Sequence, residues 1–475
     1  MWKRFGPWAP WMLLALVGLA GSPARAADGE LDPTFGGNGK SSYAFDLDAQ
    51  ARDLVAALVA QSDGRFVVAG TVSDDDGEVT KLAVVRVDPD GALDAGFGSA
   101  GRYILDFSSL GLPSYTLGRS AAVALDSSGR IVVAGSVDDG GTQRPLIVRL
   151  TPSGARDTSF FGDGIAVGAA AAEAAAIAID RLSGVVWVLG TTAGASGAWT
   201  WRWNPAGGAP DERTWIIPGS PVVTARSILV QPDGKPVLGG EHFASGTTDF
   251  DLWCARLVAA GTTADVTFGS GGLAVHGFDV APPDYDDDYL LDLALDSKGR
   301  IVLLAETEIG AGTFDSASDL GFVRFDSGGD LDPGFGTGGA RTLSFLPGNG
   351  RDAWYEGGLA LQGDGRIVAG VTPGSSPFSV QAGALRLLES GLIDTSFGGA
   401  GTGLVAFDLE PDGGGGDERS GFAAIGLEAG RIVGAGSSEW ADPDFDFGFA
   451  RLTNAYLFAD GFEIGSTYSW SLAVP

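Results

Sequence analysis

The chain has 475 residues, with 60 acidic against 30 basic and a net charge of −30. A field of that sign repels phosphate backbones and argues against a nucleic-acid partner. The single cysteine, Cys254, excludes an intramolecular disulfide, so stability must come from apolar burial, for which 44 % hydrophobic residues suffice.

Residues 1–26 read as a secretory signal. Lys3 and Arg4 start it, residues 8–21 are apolar, and Ala24-Arg25-Ala26 offers small residues for cleavage after Ala26. A retained membrane anchor is the alternative. Without this segment 27 basic residues face 60 acidic ones, a net −33. No later stretch reaches the ~20 apolar residues of a transmembrane helix.

Residues 27–455 repeat one pattern about every 50 to 67 residues, a period that signals an array or a propeller. Its first part is a hairpin turn at Gly64, Gly129, Gly184, Gly234, Gly299, Gly365 and Gly430, flanked by Ile/Val-rich runs. Glycine supplies the positive φ that such turns need, and the flanks favour pleated, buried strands. An apolar strand with one arginine comes next, as at 82–87, 146–150 and 322–325. An L-D-x-x-F-G turn then follows at 93–98 and 331–336, with Ile for Leu at 393–398; a copy at 31–36 precedes the first hairpin. A further strand such as 102–107 completes the unit. Even the Ala-rich stretch 169–178 falls where a strand is expected. Four strands in each of seven repeats predict an all-β fold, a seven-bladed β-propeller of about 28 strands. The alternative is an open β repeat array.

Arg86, Arg149, Arg202, Arg256, Arg324, Arg386 and Arg451 hold one position in this pattern. Eight or nine residues on stand Asp94, Asp157, Asp211, Asp265, Asp332 and Asp394. An arginine among apolar neighbours needs a carboxylate or carbonyl, so each pair is expected to meet across the turn. The series is offset by one: Asp32 has no arginine before it, and Arg451 has no turn after it. A closed ring brings residues 31–36 to the last repeat, with Asp460 as the rival partner for Arg451. In one divergent repeat Trp199, Trp201, Trp203 and Trp215 replace small aliphatics. Exposed tryptophans could stack on sugars, whereas alternation at 199, 201 and 203 points to one strand face filled between blades.

These motifs resemble the delta-60 repeat proteins. The residues that carry the likeness are Leu31-Asp32-Pro33-Thr34-Phe35-Gly36 with Gly39, Asp63-Gly64-Arg65-Phe66-Val67-Val68-Ala69-Gly70, and the Arg86 strand. The likeness covers residues 30–455, with the third and fourth repeats departing from it. It implies a bacterial exported propeller-type protein and carries no defined activity. The tail, residues 456–475, holds Phe458-Ala459-Asp460-Gly461-Phe462-Glu463 with Gly465 and Trp470. It resembles a short segment that ends many exported gammaproteobacterial proteins, and reads either as a sorting or processing tag or as a packed terminal strand.

No residue is assigned a catalytic, cofactor or metal role. His242 and His276 lack the nucleophile elbow that a triad needs, and Cys254 lies in an arginine-bearing strand where burial is expected. Acidic runs at 74–78, 284–288 and 442–446 supply oxygen ligands of the kind Ca²⁺ takes, without matching its loop pattern. They read first as solvated loops, with 284–288, flanked by Tyr285 and Tyr289, the foremost metal candidate. The functional expectation is a monomeric, non-catalytic binding or surface-interaction module, secreted, periplasmic or at the cell surface, with a protein or glycan partner. The alternative is a polysaccharide hydrolase or lyase using carboxylates near the propeller channel. In that chemistry the spatial separation of the carboxylates decides the outcome.

Overall fold

A computed structural model describes residues 28–45, 52–73, 80–110, 114–115, 121–205, 210–243, 249–278, 287–309, 317–345, 356–376, 379–399, 401–410, 420–428, 430–441 and 444–454. The signal segment 1–26, the acidic run 74–78 and the tail 456–475 lie outside them. The described chain is all-β, with one 3-10 turn at Phe107–Leu110.

Its strands group into four-stranded antiparallel units. Sheet 1 is Arg52–Ala60, Phe66–Ser73, Thr80–Val87 and Arg102–Leu105. Sheet 2 is Ala122–Leu125, Ile131–Asp138, Gln143–Leu150 and Ile165–Val167, with Ser114–Tyr115 added beside its second strand. Sheet 3 is Ala172–Ile179, Val186–Thr192, Ala198–Trp203 and Asp211–Trp215; sheet 4 is Val222–Val230, Pro236–Phe243, Phe250–Arg256 and Leu273–His276. Sheet 5 is Asp288–Leu295, Ile301–Ile309, Ala317–Phe325 and Ala340–Leu343. Sheet 6 is Gly358–Leu361, Ile367–Val371, Ala382–Leu387 and Leu404–Phe407. Sheet 7 takes three strands from the end of the described chain, Ser420–Glu428, Arg431–Ala441 and Asp444–Leu452, and its fourth, Lys40–Tyr43, from the start. A single parallel pairing, Arg52 with Phe445, links sheet 7 to sheet 1.

The hairpins form as the pattern dictates. The seven hairpin glycines all adopt φ between +71° and +88°, which any side chain would oppose. Alternation then divides each central strand between two neighbours. Val67 and Ala69 face sheet 2 with Ile131, Val133 and Val148, while Phe66 and Val68 face sheet 7 with Val433, Phe447 and Phe449. Both faces are dry, so these strands read as unbroken apolar runs. The core is therefore a set of layers between successive sheets, the arrangement of a propeller.

Lys40–Tyr43 closes the ring. It pairs antiparallel from Lys40↔Ala450 to Tyr43↔Phe447, and Leu31 bridges Leu452. Arg451 meets Asp32 at 3.1 Å, across 419 residues of sequence, as the offset series predicts. Asp460 lies outside the described residues.

Candidate functional site

The sheets are joined by a device that the repeats rebuild in full at five seams. Arg86, Arg256, Arg324, Arg386 and Arg451 donate Nε to Asp94, Asp265, Asp332, Asp394 and Asp32 at 2.8–3.1 Å. Each guanidinium lies 4.7–5.0 Å from the ring of the following phenylalanine, a cation–π distance. Each Nη1 then reaches the next unit: Pro152 O, Ser327 O, Glu389 O, Asn454 Oδ1 and Pro89 O. The buried phenylalanine ends in a glycine whose N–H donates across the same seam, as Gly98 does to Ser153 O at 2.8 Å.

Each aspartate also takes a second cation from a hairpin turn, such as Arg65 on Asp94, Lys235 on Asp265 and Arg431 on Asp32. Burial alone would raise the Asp94 and Asp32 carboxyls. The hydrogen bonds they accept and the paired guanidinium charges outweigh it and hold both below the ordinary carboxylate value.

The divergent repeat corrects one expectation. Asp211 stands opposite Arg202 in register but ion-pairs with Arg213 at 2.9 Å, because this repeat continues as strand where the others turn. Arg202 instead lies over Trp187, 5.5 Å away. Trp187 fills the place of the missing phenylalanine: a Cβ on Gly261 of the next unit would come within 2.0 Å of its ring. Trp199 and Trp201 are buried between sheets 2 and 3 with Phe160, so space filling is their role. Trp203 is half-buried, and Trp215 donates Nε1 to Thr200 at 2.9 Å.

A cavity of about 370 Å³ is lined by the first strands of all seven sheets, which places it on the ring axis. Five of those strands carry a β-bulge at the same point, at Ala56, Ala175, Arg226, Leu291 and Ala423. Counted from the hairpins, the equivalent positions in sheets 2 and 6 are Ala121 and Gly357. Bulges re-aim side chains, and here they set a ring of small or aliphatic residues with one cation.

Arg226 is held by buried Glu241, whose Oε1 is 2.9 Å from Nε and 2.8 Å from Nη2. Burial pushes Glu241 upward against the pull of Arg226. One position further on, Asp292 accepts from Ser227 Oγ at 2.8 Å and from the N–H groups of Leu293 and Leu359 at 2.8 and 2.9 Å. Burial raises its pKa as well. Glu173 and Glu356 also line the cavity.

The acidic run at 284–288 is described only at its end. There Asp288 is fully buried and accepts the Phe278 N–H at 2.8 Å, tying sheet 4 to sheet 5. Asp53 does the same for Phe45 at 2.7 Å between sheets 7 and 1. Burial pushes Asp288 up to about 8. Among the described residues no group of three or more His, Cys, Asp or Glu side chains is placed to hold a metal ion.

His242 is buried and its Nδ1 lies 2.7 Å from Ser220 Oγ; burial keeps its pKa below the ordinary value. His276 meets Phe278 edge-on at 4.9 Å. Cys254 is fully buried, which lifts its thiol to about 12 and makes it a core residue. Among the described residues no helix is long and apolar enough to cross a membrane.

Closed four-stranded sheets around an axial cavity define a β-propeller repeat protein. In agreement, the family model described as domain of unknown function DUF5122, β-propeller, matches residues 61–97 and 127–160. No curated protein sequence matches the chain. Among solved structures it is similar to the polysaccharide lyase Uly1, with TM-score 0.50 and 10 % identity over 84 % of this chain and 90 % of that one. It is also similar to the β-propeller domain of the Trilobed protease from Pyrococcus furiosus, with TM-score 0.41 and 11 % identity over 84 % and 94 % of the two chains. A NanB sialidase variant from Streptococcus pneumoniae matches with TM-score 0.41 and 10 % identity over 84 % and 68 %. At these identities the likeness speaks to fold alone.

Proposed function

We propose that the chain is an exported, non-catalytic binding propeller of seven blades, of the delta-60 repeat kind, acting outside the cytoplasm on a protein or glycan partner. The signal pattern at residues 1–26 supports export, and the seven four-stranded units among the described residues support the blade count. One observation carries binding over catalysis: two of the ionisable groups at the axis, Arg226 and Asp292, are held in structural contacts. Arg226 is paired with Glu241, and Asp292 is fixed by three hydrogen bonds. A general acid or base needs a proton-exchanging group within reach of substrate, and these are committed elsewhere.

The second reading, a polysaccharide hydrolase or lyase, is favoured by Arg226 sharing the axial cavity with Glu173 and Glu356. The two are separated by titrating the purified chain with neutral and acidic polysaccharides while following reducing ends. Saturable binding that weakens in Arg226→Ala, with no new ends, is the expected result. Release of reducing ends that Arg226→Ala abolishes would overturn it.

A further inference from the structure

We propose that the seam between sheets 2 and 3 holds a second binding site, for a carboxylate carried on a ring-shaped body. It lies beside the hairpin turns, away from the axis.

Two of the seven arginines depart from the series: Arg202, described above, and Arg149. At five seams the strand arginine gives Nη1 to an oxygen of the next unit. Arg149 gives Nη2 to Ser159 Oγ at 3.0 Å, as Arg256, Arg386 and Arg451 do to Thr267, Ser396 and Thr34, yet among the described residues its Nη1 has no such acceptor. Its Nε is paired with Asp157 Oδ2 at 2.8 Å, as in the other repeats. In place of the missing oxygen is a cavity of about 150 Å³, lined by Arg149, Arg130, Trp203, Leu182 and Pro205 among others. Pro205 stands where Pro152 and Pro89 supply their carbonyls.

The cause is Trp203. The equivalent residues are Val87, Leu150, Leu257, Phe325, Leu387 and Leu452. The larger indole meets Phe160 edge-on at 4.9 Å, and both rings flank Arg149, with centroid distances of 5.3 and 4.8 Å. The cavity thus has a guanidinium donor wanting an oxygen, a second arginine 2.6 Å from Asp126, and an indole wall. A carboxylate makes the stronger, charge-assisted bond to such a donor, and an indole face takes the apolar side of a ring. Leu182, 85 % exposed, stands at the rim. The volume suits one such group.

Calorimetric titration of the purified chain with D-glucuronate, D-glucose and acetate at fixed ionic strength tests this. Glucuronate, which has both ring and carboxylate, is expected to bind at least tenfold more tightly than either of the others. Arg130→Gln should weaken it several-fold. Trp203→Leu, which installs the residue type of the other repeats, should lower it to the acetate level; circular dichroism checks that both variants fold. Leu392→Ala, at an exposed position in another repeat, should leave glucuronate binding unchanged. Binding at the axis would be indifferent to both seam variants, which keeps the two tests separate. Equal heats for glucose and glucuronate, no saturable heat, or binding indifferent to both seam variants would each overturn the proposal.

Discussion

Asp32→Asn tests the ring closure. Asp32 is 4 % exposed, accepts Arg451 Nε at 3.1 Å and Arg431 Nε at 2.9 Å, and is braced by Thr34 at 2.7 Å. Asparagine keeps the shape and removes the charge, leaving the buried Arg451 guanidinium with only the longer ionic contact to Glu428 Oε2, 3.8 Å from its Nη1. Removing one partner of a buried pair costs about 3–5 kcal/mol, and the half-exposed Arg431 adds little. Spread over roughly 450 residues at about 2 cal/mol/K each, a loss of about 3 kcal/mol moves a global midpoint by only about 3 °C. Hydrogen exchange is the sharper assay. The Lys40–Tyr43 strand reaches sheet 7 without a hairpin, so it can open while the other sheets stay folded. Its amides should exchange about 100-fold faster, with those of Phe66–Ser73 unchanged. Asp94→Asn, inside one continuous unit, should show no such confined opening. Uniform acceleration across all sheets, or unchanged exchange at Ser41–Tyr43, would refute the reasoning. The Asp32 pKa lies below its unfolded value, so its contribution is full above about 3.8 and is lost as pH falls through the folded value. The wild type should therefore open at the same strand in acid.

Asp288 acts with the opposite sign. Its pKa of about 8 exceeds the unfolded 3.8, so its contribution is full below about pH 4 and declines as pH rises toward 8. Asp288→Asn should flatten urea midpoints between pH 5 and 8.5, and an unchanged slope would exclude Asp288 as the cause. Gly261→Ala places a methyl group against Trp187 at φ +66° and should cost about 2 kcal/mol or more. Adding Trp187→Phe should recover part of that loss in a double-mutant cycle; strict additivity would deny the contact. For the acidic run 74–78 the solvated-loop reading expects equal thermal midpoints in EDTA and in millimolar calcium. Saturating calcium at 100 times Kd would add about 2.7 kcal/mol, and a rise that magnesium does not reproduce would show a site there.

The all-β four-stranded units, the hairpins and most of the arginine ladder were legible because each is a local pattern repeated. The Asp32–Arg451 contact followed from counting, with no geometry needed. Trp187 was not legible: it sits in the second strand of its unit and substitutes in space for a phenylalanine that belongs to a later turn. Asp288 was read as part of an acidic loop, since sequence cannot tell a carboxylate that accepts a backbone N–H from one in solvent. The axial arginine had a faint signal. Counted eight residues back from the hairpin glycine, Arg226 falls where other repeats have Ala56, Ala121 and Ala176. The bulge that turns this position toward the axis is a matter of register, which composition does not encode.

Because one sheet is stitched from both ends of the described residues, that sheet cannot be complete until Asp444–Leu452 has been made. Lys40–Tyr43 waits for it, with 419 residues between Asp32 and its arginine. Closing so long a loop from a fully unfolded chain costs only about 5 kcal/mol, since the penalty grows with the logarithm of length, and each unit that forms shortens the effective gap. The cost is paid in time instead. Until Ser420–Glu428, Arg431–Ala441 and Asp444–Leu452 arrive, sheets 1 and 6 each present an uncovered apolar face. A truncated or stalled chain would carry two sticky surfaces and no means of joining them.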